Sequence, residues 1–192
     1  MEQNSHYKLG TIYTHTDGRT GIVVDVDEDN QPTLLLALWN TLGEKTNSEG
    51  KKVGPTWYDA VGDFENPNNP NGDLYNDELN VEQGFHLPSE EELMRMKKNW
   101  PQIQHMLEKL ASEGKCDGLK TEDGEYFTHL WSSTPQDRSY AYCFHTKVES
   151  LVNNINELFD FDYYFDADDL EVDSFDKECN SYHYRVRGVA VL

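Results

Sequence analysis

The sequence predicts an α+β protein, built of mixed and antiparallel twisted sheets with two main helices and long loops. Three observations lead there. Residues 11–39 alternate β-rich runs with turn clusters. Residues 89–114 carry one apolar stripe at helical spacing behind a capping sequence. Residues 126–144 read as an aromatic hairpin, Trp131 on one strand and Tyr140, Tyr142 and Phe144 on the other. The 192 residues fit one domain over 1–192, long enough to bury a core, with 1–9 as a flexible amino terminus.

In chain order, Thr11-Ile-Tyr-Thr is followed by the turn His15-Thr-Asp-Gly18 and the run Gly21-Ile-Val-Val-Asp-Val26. The turn Asp27–Pro32 leads to Thr33-Leu-Leu-Leu-Ala-Leu-Trp39, so these two runs form a hairpin. Asp25-x-Asp27-x-Asp29 invites comparison with a calcium loop. Such a loop needs glycine sixth and glutamate twelfth, and Asn30 and Leu36 stand there, so the stretch reads as a plain turn. Residues 40–55 read as an exposed loop. Thr56 then caps a short helix with Trp57, Ala60 and Val61 turned inward. Asn66–Gly72, with four asparagines and two prolines, is a breaker cluster and reads as a loop.

Ser89-x-x-Glu92 is a capping box: the serine oxygen accepts from the third residue's amide and the glutamate reaches back. Leu93, Met96, Trp100, Ile103, Leu107 and Leu110 form the stripe. Pro101 lacks an amide donor and kinks this helix or starts a second. Gly114 stops it. Met94, Met96 and Met106 read as core filling. In the hairpin, Ser132-Ser-Thr-Pro135 interrupts the first strand and Gln136–Ser139 is the turn. Tyr140, Tyr142 and Phe144 share one face by alternation, which leaves open whether the tyrosines meet the core or a ligand. Ser150 caps a helix with Leu151, Ile155, Leu158 and Phe159 inward. Residues 157–178 form an acidic aromatic insert, ten acids and one lysine interleaved with six aromatic rings. So dense a charge block stays solvated, and its rings anchor one side. Tyr182–Leu192 is strand-like, with Arg185 and Arg187 on one face, placed to pair with the acids just upstream.

The totals exclude several classes. With 36 acidic and 16 basic residues the net charge is −20, and no basic stripe offsets it, so nucleic acid is not a partner. No apolar run has the length of a membrane span, and Met1–His6 is not a signal peptide. The three cysteines, Cys116, Cys143 and Cys179, contain no C-x-x-C pair. The seven histidines include no His-x-x-x-His, and no Gly-x-Ser-x-Gly elbow occurs, so the residues point away from an enzyme. His129 and His145 flank the hairpin and read as satisfied polar histidines.

Three short signatures carry a resemblance: Leu87-Pro-Ser-x-x-Glu-Leu93, Trp131-Ser-Ser-Thr134, and Val186-Arg-Gly-Val189 near the end. In that order they resemble a bacterial domain of unknown function typified by the carboxy-terminal domain of collagen-like adhesins. That family belongs to the C-type-lectin-like superfamily, with the formylglycine-generating enzyme and retroelement-diversified receptors as relatives. Phe85-His86 stands where many members have Trp-Arg. The resemblance implies a C-type-lectin-like fold and a non-catalytic, exported or surface-bound binding domain for a glycan or protein, a cytoplasmic location being the alternative. It also leaves room for an assembly module of a bacterial surface structure, or for a formylglycine-generating-type enzyme, whose reactive cysteine pair has no counterpart here. The hairpin residues Asp137, Arg138, Tyr140 and Tyr142 are the candidate ligand contacts. The long loop of such folds often binds calcium. Asp160, Asp162, Asp166, Asp168 and Asp169 offer the hard oxygens that ion takes.

Overall fold

The computed structural model describes residues 7–61, 84–119, 129–146, 170–178 and 184–192, the side chains of 145–146 and 170–176 excepted. Within them the chain is α+β. Three strands open it, β1 (Ile12–Thr14), β2 (Thr20–Val26) and β3 (Pro32–Ala37), and β10 (Val189–Val191) closes it. These four make one antiparallel sheet in the order β1-β2-β3-β10. A second sheet has the order β8-β7-β6-β9, from β6 (His129–Pro135), β7 (Tyr140–Thr146), β8 (Leu170–Asp176) and β9 (Tyr184–Arg185). Only the β6–β9 pair there is parallel.

Local chemistry explains the turns. The β2–β3 turn and the turn at Asn47–Lys51 repeat one device, a side chain accepting two backbone amides with a left-handed residue closing the loop. Asp27 Oδ1 accepts from the amides of Asp29 (2.9 Å) and Gln31 (2.8 Å), with Asn30 at φ 58°. Asn47 Oδ1 accepts from Glu49 (3.0 Å) and Lys51 (2.9 Å), with Gly50 at φ 76°. The latter turn joins β4 (Lys45–Thr46) to β5 (Lys52–Val53). Residues 40–55 are therefore not an exposed loop. Leu42 and Val53 are buried, because the Leu42–Val186 bridge draws this segment onto the molecule.

Helix α2 (Glu90–Lys98) begins on the capping box: Ser89 Oγ accepts from the Glu92 amide, and Glu92 Oε2 from the Ser89 amide at 2.7 Å. Helix α3 (Trp100–Ser112) starts anew with Pro101 in its first turn, where a missing donor costs nothing. It ends in a Schellman motif. Lys115 N donates to Leu110 O at 3.0 Å and Gly114 N to Ala111 O at 2.9 Å, with Gly114 at φ 68°. All six stripe residues are buried, Met96 among them, while Met94 stays 47% exposed. They pack between the first sheet (Ile22, Val24, Leu34, Leu36) and one face of the second (Leu130, Phe144). Trp100 meets Phe144 edge-on at 5.4 Å, a geometry adding about 1 kcal/mol beyond area burial. The other face of the second sheet carries its own cluster of Trp131, Ala141, Cys143, Tyr184, Leu42 and Val186.

Several expectations need correcting. In α1 (Trp57–Val61), Val61 is 40% exposed. The buried face is instead Thr56, Asp59 and Ala60, because Asp59 Oδ2 accepts from both Thr56 N and Oγ1 at 2.7 Å in a cap sealed inside the protein. Ser132–Pro135 does not end β6. The strand runs on through a bulge, its register passing from Trp131–Cys143 to Pro135–Ala141. The insert 157–178 is not a loop throughout, since Leu170–Asp176 pairs with β7 along its whole length. Arg187 makes no ion pair with an acid among the described residues. It is fully buried and donates to three backbone carbonyls. Arg185 lies 3.7 Å from Glu44, and nearly all of the acids it was expected to meet lie outside the described side chains. Asn66–Gly72, the Ser150 helix and residues 1–6 lie outside the described residues.

The three signature segments meet in space. Ser133 N donates to Pro88 O at 2.7 Å, and Glu90 N to Thr134 Oγ1 at 2.9 Å. His86 and Val189 exchange backbone bonds of 2.9 and 2.8 Å. Trp131 is fully buried, stacked on Tyr184 at 4.4 Å, and its Nε1 donates to Pro55 O at 2.9 Å.

Candidate functional site

The tip of the β6–β7 hairpin is the candidate site. Every residue from Pro135 to Tyr140 is exposed. Exposed turns are ordinarily soft, yet here four amides and four carbonyls near the apex have partners. The amides of Gln136 and Asp137 donate to Tyr140 O at 2.9 and 3.2 Å. Asp137 Oδ1 accepts from Ser139 N at 2.7 Å and Tyr140 N at 2.8 Å. Those two amides, with a smaller contribution from Lys177, hold the Asp137 carboxyl below its usual pKa.

Lys177 fastens the tip from behind. It follows β8, is 94% shielded from solvent at 6% exposure, and its Nζ donates to Asp137 O (2.7 Å) and Arg138 O (3.4 Å). The same ammonium sits 4.3 Å from the centroid of the Trp57 ring, a cation–π distance. Backbone bonds complete the clamp. Lys177 N donates to Ser139 O at 2.8 Å, and Trp57 N to Lys177 O at 3.1 Å. Trp57 Nε1 donates to Ser132 O at 2.9 Å. Two segments distant in sequence thus back the turn, Lys177 directly and Trp57 through Lys177 and Ser132.

What remains free is side chain. Arg138 has no side-chain partner among the described residues, and Tyr140 is 44% exposed. The aromatic row on β7 grades inward with distance from the tip: Tyr140 in solvent, Tyr142 half-buried, Phe144 sealed in the core. Asp137, Arg138 and Tyr140 are therefore brought together at one apex, with Asp137 serving the backbone, and Tyr142 lies further down the strand. Lys177 and Trp57 escape the sequence reading. One signal was present, since Lys177 is the lone cation in the acidic insert.

The five aspartates proposed for calcium, Asp160, Asp162, Asp166, Asp168 and Asp169, lie outside the described residues. Among the described residues no cluster of three or more histidine, cysteine or acidic side chains is placed to hold a metal. Cys116 and Cys143 are buried free thiols, and burial pushes the Cys116 thiol up despite the nearby Arg187. A shallow cleft of about 460 Å³ lies between the start of the chain and α3, with Tyr7, Leu9, Val26, Gln102 and Met106 on its walls. Its lining includes no carboxylate, imidazole or thiol. No helix among the described residues is long and apolar enough to cross a membrane. No protein-family model matches the chain, and no curated protein matches its sequence.

Proposed function

We propose that this protein is a non-catalytic recognition domain of the C-type-lectin-like, adhesin-associated kind, exported or held at a cell surface, binding a glycan or protein through its β6–β7 tip. One observation carries this: an exposed apex whose backbone is tied down from within by Asp137 and from behind by Lys177, while the Arg138 and Tyr140 side chains are left without internal work. Fixing a turn before binding removes the ordering cost that would otherwise weaken the complex. Arginine and tyrosine offer charge-assisted bonds and a broad amphipathic surface, the chemistry enriched in binding hot spots. The mutual contact of the Leu87, Trp131 and Val189 segments supports the family reading, since short signatures shared by chance have no reason to touch. The net charge of −20 disfavours polyanions as partners.

The test is a glycan and secreted-protein array probed with the full chain and with the double variant Arg138→Ala/Tyr140→Ala. Binding lost in the double variant, at an unchanged urea midpoint, supports the tip. An array partner held equally well by the double variant places recognition elsewhere. Lys177→Met adds a discriminating arm, because it loosens the apex without touching a ligand and should weaken the same partner.

A further inference from the structure

A second surface has a similar construction. Trp39, just past β3, is 46% exposed and makes no ring contact with the described residues. The backbone beneath it is fixed with unusual effort. Arg187, fully buried, donates from Nε to Ala37 O at 2.7 Å, from Nη2 to Leu38 O at 2.9 Å and from Nη1 to Asp117 O at 2.8 Å. The first two are the carbonyls immediately before Trp39. Across the same junction Asp117 N donates to Leu38 O at 2.8 Å, and Asn40 N to Asp117 Oδ2 at 2.6 Å. A buried guanidinium is held at a desolvation cost, and an exposed indole forgoes burial, so a chain that does both at one turn has an unexplained expense there.

Two polar side chains at the same junction have an acceptor oxygen without a partner among the described residues. Asn40 Oδ1 is shielded from water and accepts no hydrogen bond. Asp117 is half-buried, one carboxylate oxygen engaged by the Asn40 amide and the other accepting nothing among the described residues. A buried acceptor without a partner, as at Asn40, is rare in folded proteins, and the free Asp117 oxygen is an acceptor open to a ligand.

We infer that Trp39, Asn40 and Asp117 form a binding site for one ring of an uncharged oligosaccharide. The C–H-rich face of a pyranose lies flat on an indole, and its hydroxyls donate to a carboxylate and to an amide oxygen turned about χ2. The overall charge of −20 repels sialylated or sulfated sugars, which selects the neutral ones. A protein partner fits less well. One indole and two small polar residues fall far short of the roughly 800 Å² a stable interface buries on each side. This inference rests on the recognition reading in general but uses a surface apart from the hairpin tip.

The experiment titrates the full chain with cellohexaose, maltohexaose, xylohexaose and chitohexaose, followed by saturation-transfer NMR and tryptophan fluorescence. At least one should bind at millimolar strength or tighter. Trp39→Ala, folding with the wild-type urea midpoint, should weaken it about tenfold or more. Trp39→Phe should keep part of the affinity, and Asp117→Asn should lose part. Arg138→Ala/Tyr140→Ala should bind these sugars as the wild type does. No binding of any of the four at about 10 mM, a strength below even weak lectin contacts, overturns the inference. So does equal binding by Trp39→Ala. Sugar binding lost in the tip double variant but intact in Trp39→Ala overturns it too, while supporting the hairpin tip.

Discussion

Arg187→Met tests whether a buried cation that donates to three neutral carbonyls holds this fold together. Methionine keeps most of the side-chain volume, so the change removes donors with little cavity. Of the three carbonyls, Leu38 O retains the Asp117 amide at 2.8 Å, so the loss falls on Ala37 O and Asp117 O. A buried acceptor left unsatisfied costs about 1–3 kcal/mol, giving roughly 2–6 kcal/mol for the pair. That is a large share of a typical total of about 5–15 kcal/mol. Relief from burying the guanidinium pulls toward the lower end, and about 3 kcal/mol is the expected net loss. Arg187→Lys keeps the charge but replaces a planar fork with a point donor that cannot span three carbonyls, so it should lose about 1–2 kcal/mol. Urea unfolding followed by far-UV circular dichroism and by tryptophan fluorescence measures both, with an unchanged m value required for the comparison. An Arg187→Met midpoint within about 1 kcal/mol of wild type would refute the claim that these bonds stabilise.

Other outcomes follow from the same contacts. Ser89→Ala removes the acceptor for the Glu92 amide and should cost about 1 kcal/mol in urea unfolding, an effect absent if the capping box is ornamental. Trp131→Ala, in a fully buried stack, should cost about 3–5 kcal/mol, whereas Trp39→Ala should stay within about 0.5 kcal/mol; equal effects would contradict the placement of both rings. Asp25 gives a pH prediction. Burial raises its pKa, but bonds from Arg95 (2.8 Å), Asn99 (2.7 Å) and Thr33 outweigh burial and lower it overall. A carboxylate with a depressed folded pKa contributes stability above its unfolded value of about 3.9 and loses it as pH falls through the folded one. The stability difference between wild type and Asp25→Asn should therefore be constant from pH 5 to 7, about neutral conditions, and shrink below about pH 4. A difference that grows on acidification would reverse the sign argued here.

Legibility in the sequence tracked distance along the chain. The Ser89 cap, the α2–α3 stripe, the break at Pro101 and the Gly114 stop were all readable, because each is decided within four residues or by a 3.6-residue period. The β2–β3 hairpin was readable for the same reason. Failures came where a distant partner decides. Val61 turned outward because Asp59 took the inward place, where its carboxylate accepts from Thr56 N and Oγ1. Residues 40–55 seemed too polar to fold down, yet the bridge from Leu42 reaches Val186. The hairpin apex was legible from Gln136–Ser139 as turn chemistry, but how deep Tyr140 and Tyr142 sit depends on how far α2 and α3 cover the second sheet. Alternation alone is silent on that.

Lys177 and Arg187 show why the rigidity of both candidate surfaces was hidden. Each is a cation with little or no exposure whose donors end on backbone carbonyls, 40 residues away for Lys177 to Asp137 and 150 for Arg187 to Ala37. A carbonyl leaves no trace in a sequence, since every residue has one. Charge pairing, the pattern that can be read, pointed instead to the many acids nearby. The chemistry favours the carbonyl solution. Sixteen cations among 36 acids meet a strongly negative field wherever they stand, which offsets part of the cost of burying one. A buried carboxylate partner would bring a second desolvation cost, while carbonyls at turns already need donors. Both internal cations sit directly behind a turn that exposes an aromatic ring, Tyr140 in one case and Trp39 in the other. In this acidic chain, a buried lysine or arginine whose donors end on the carbonyls of a turn is therefore the place to look for a turn held ready to bind.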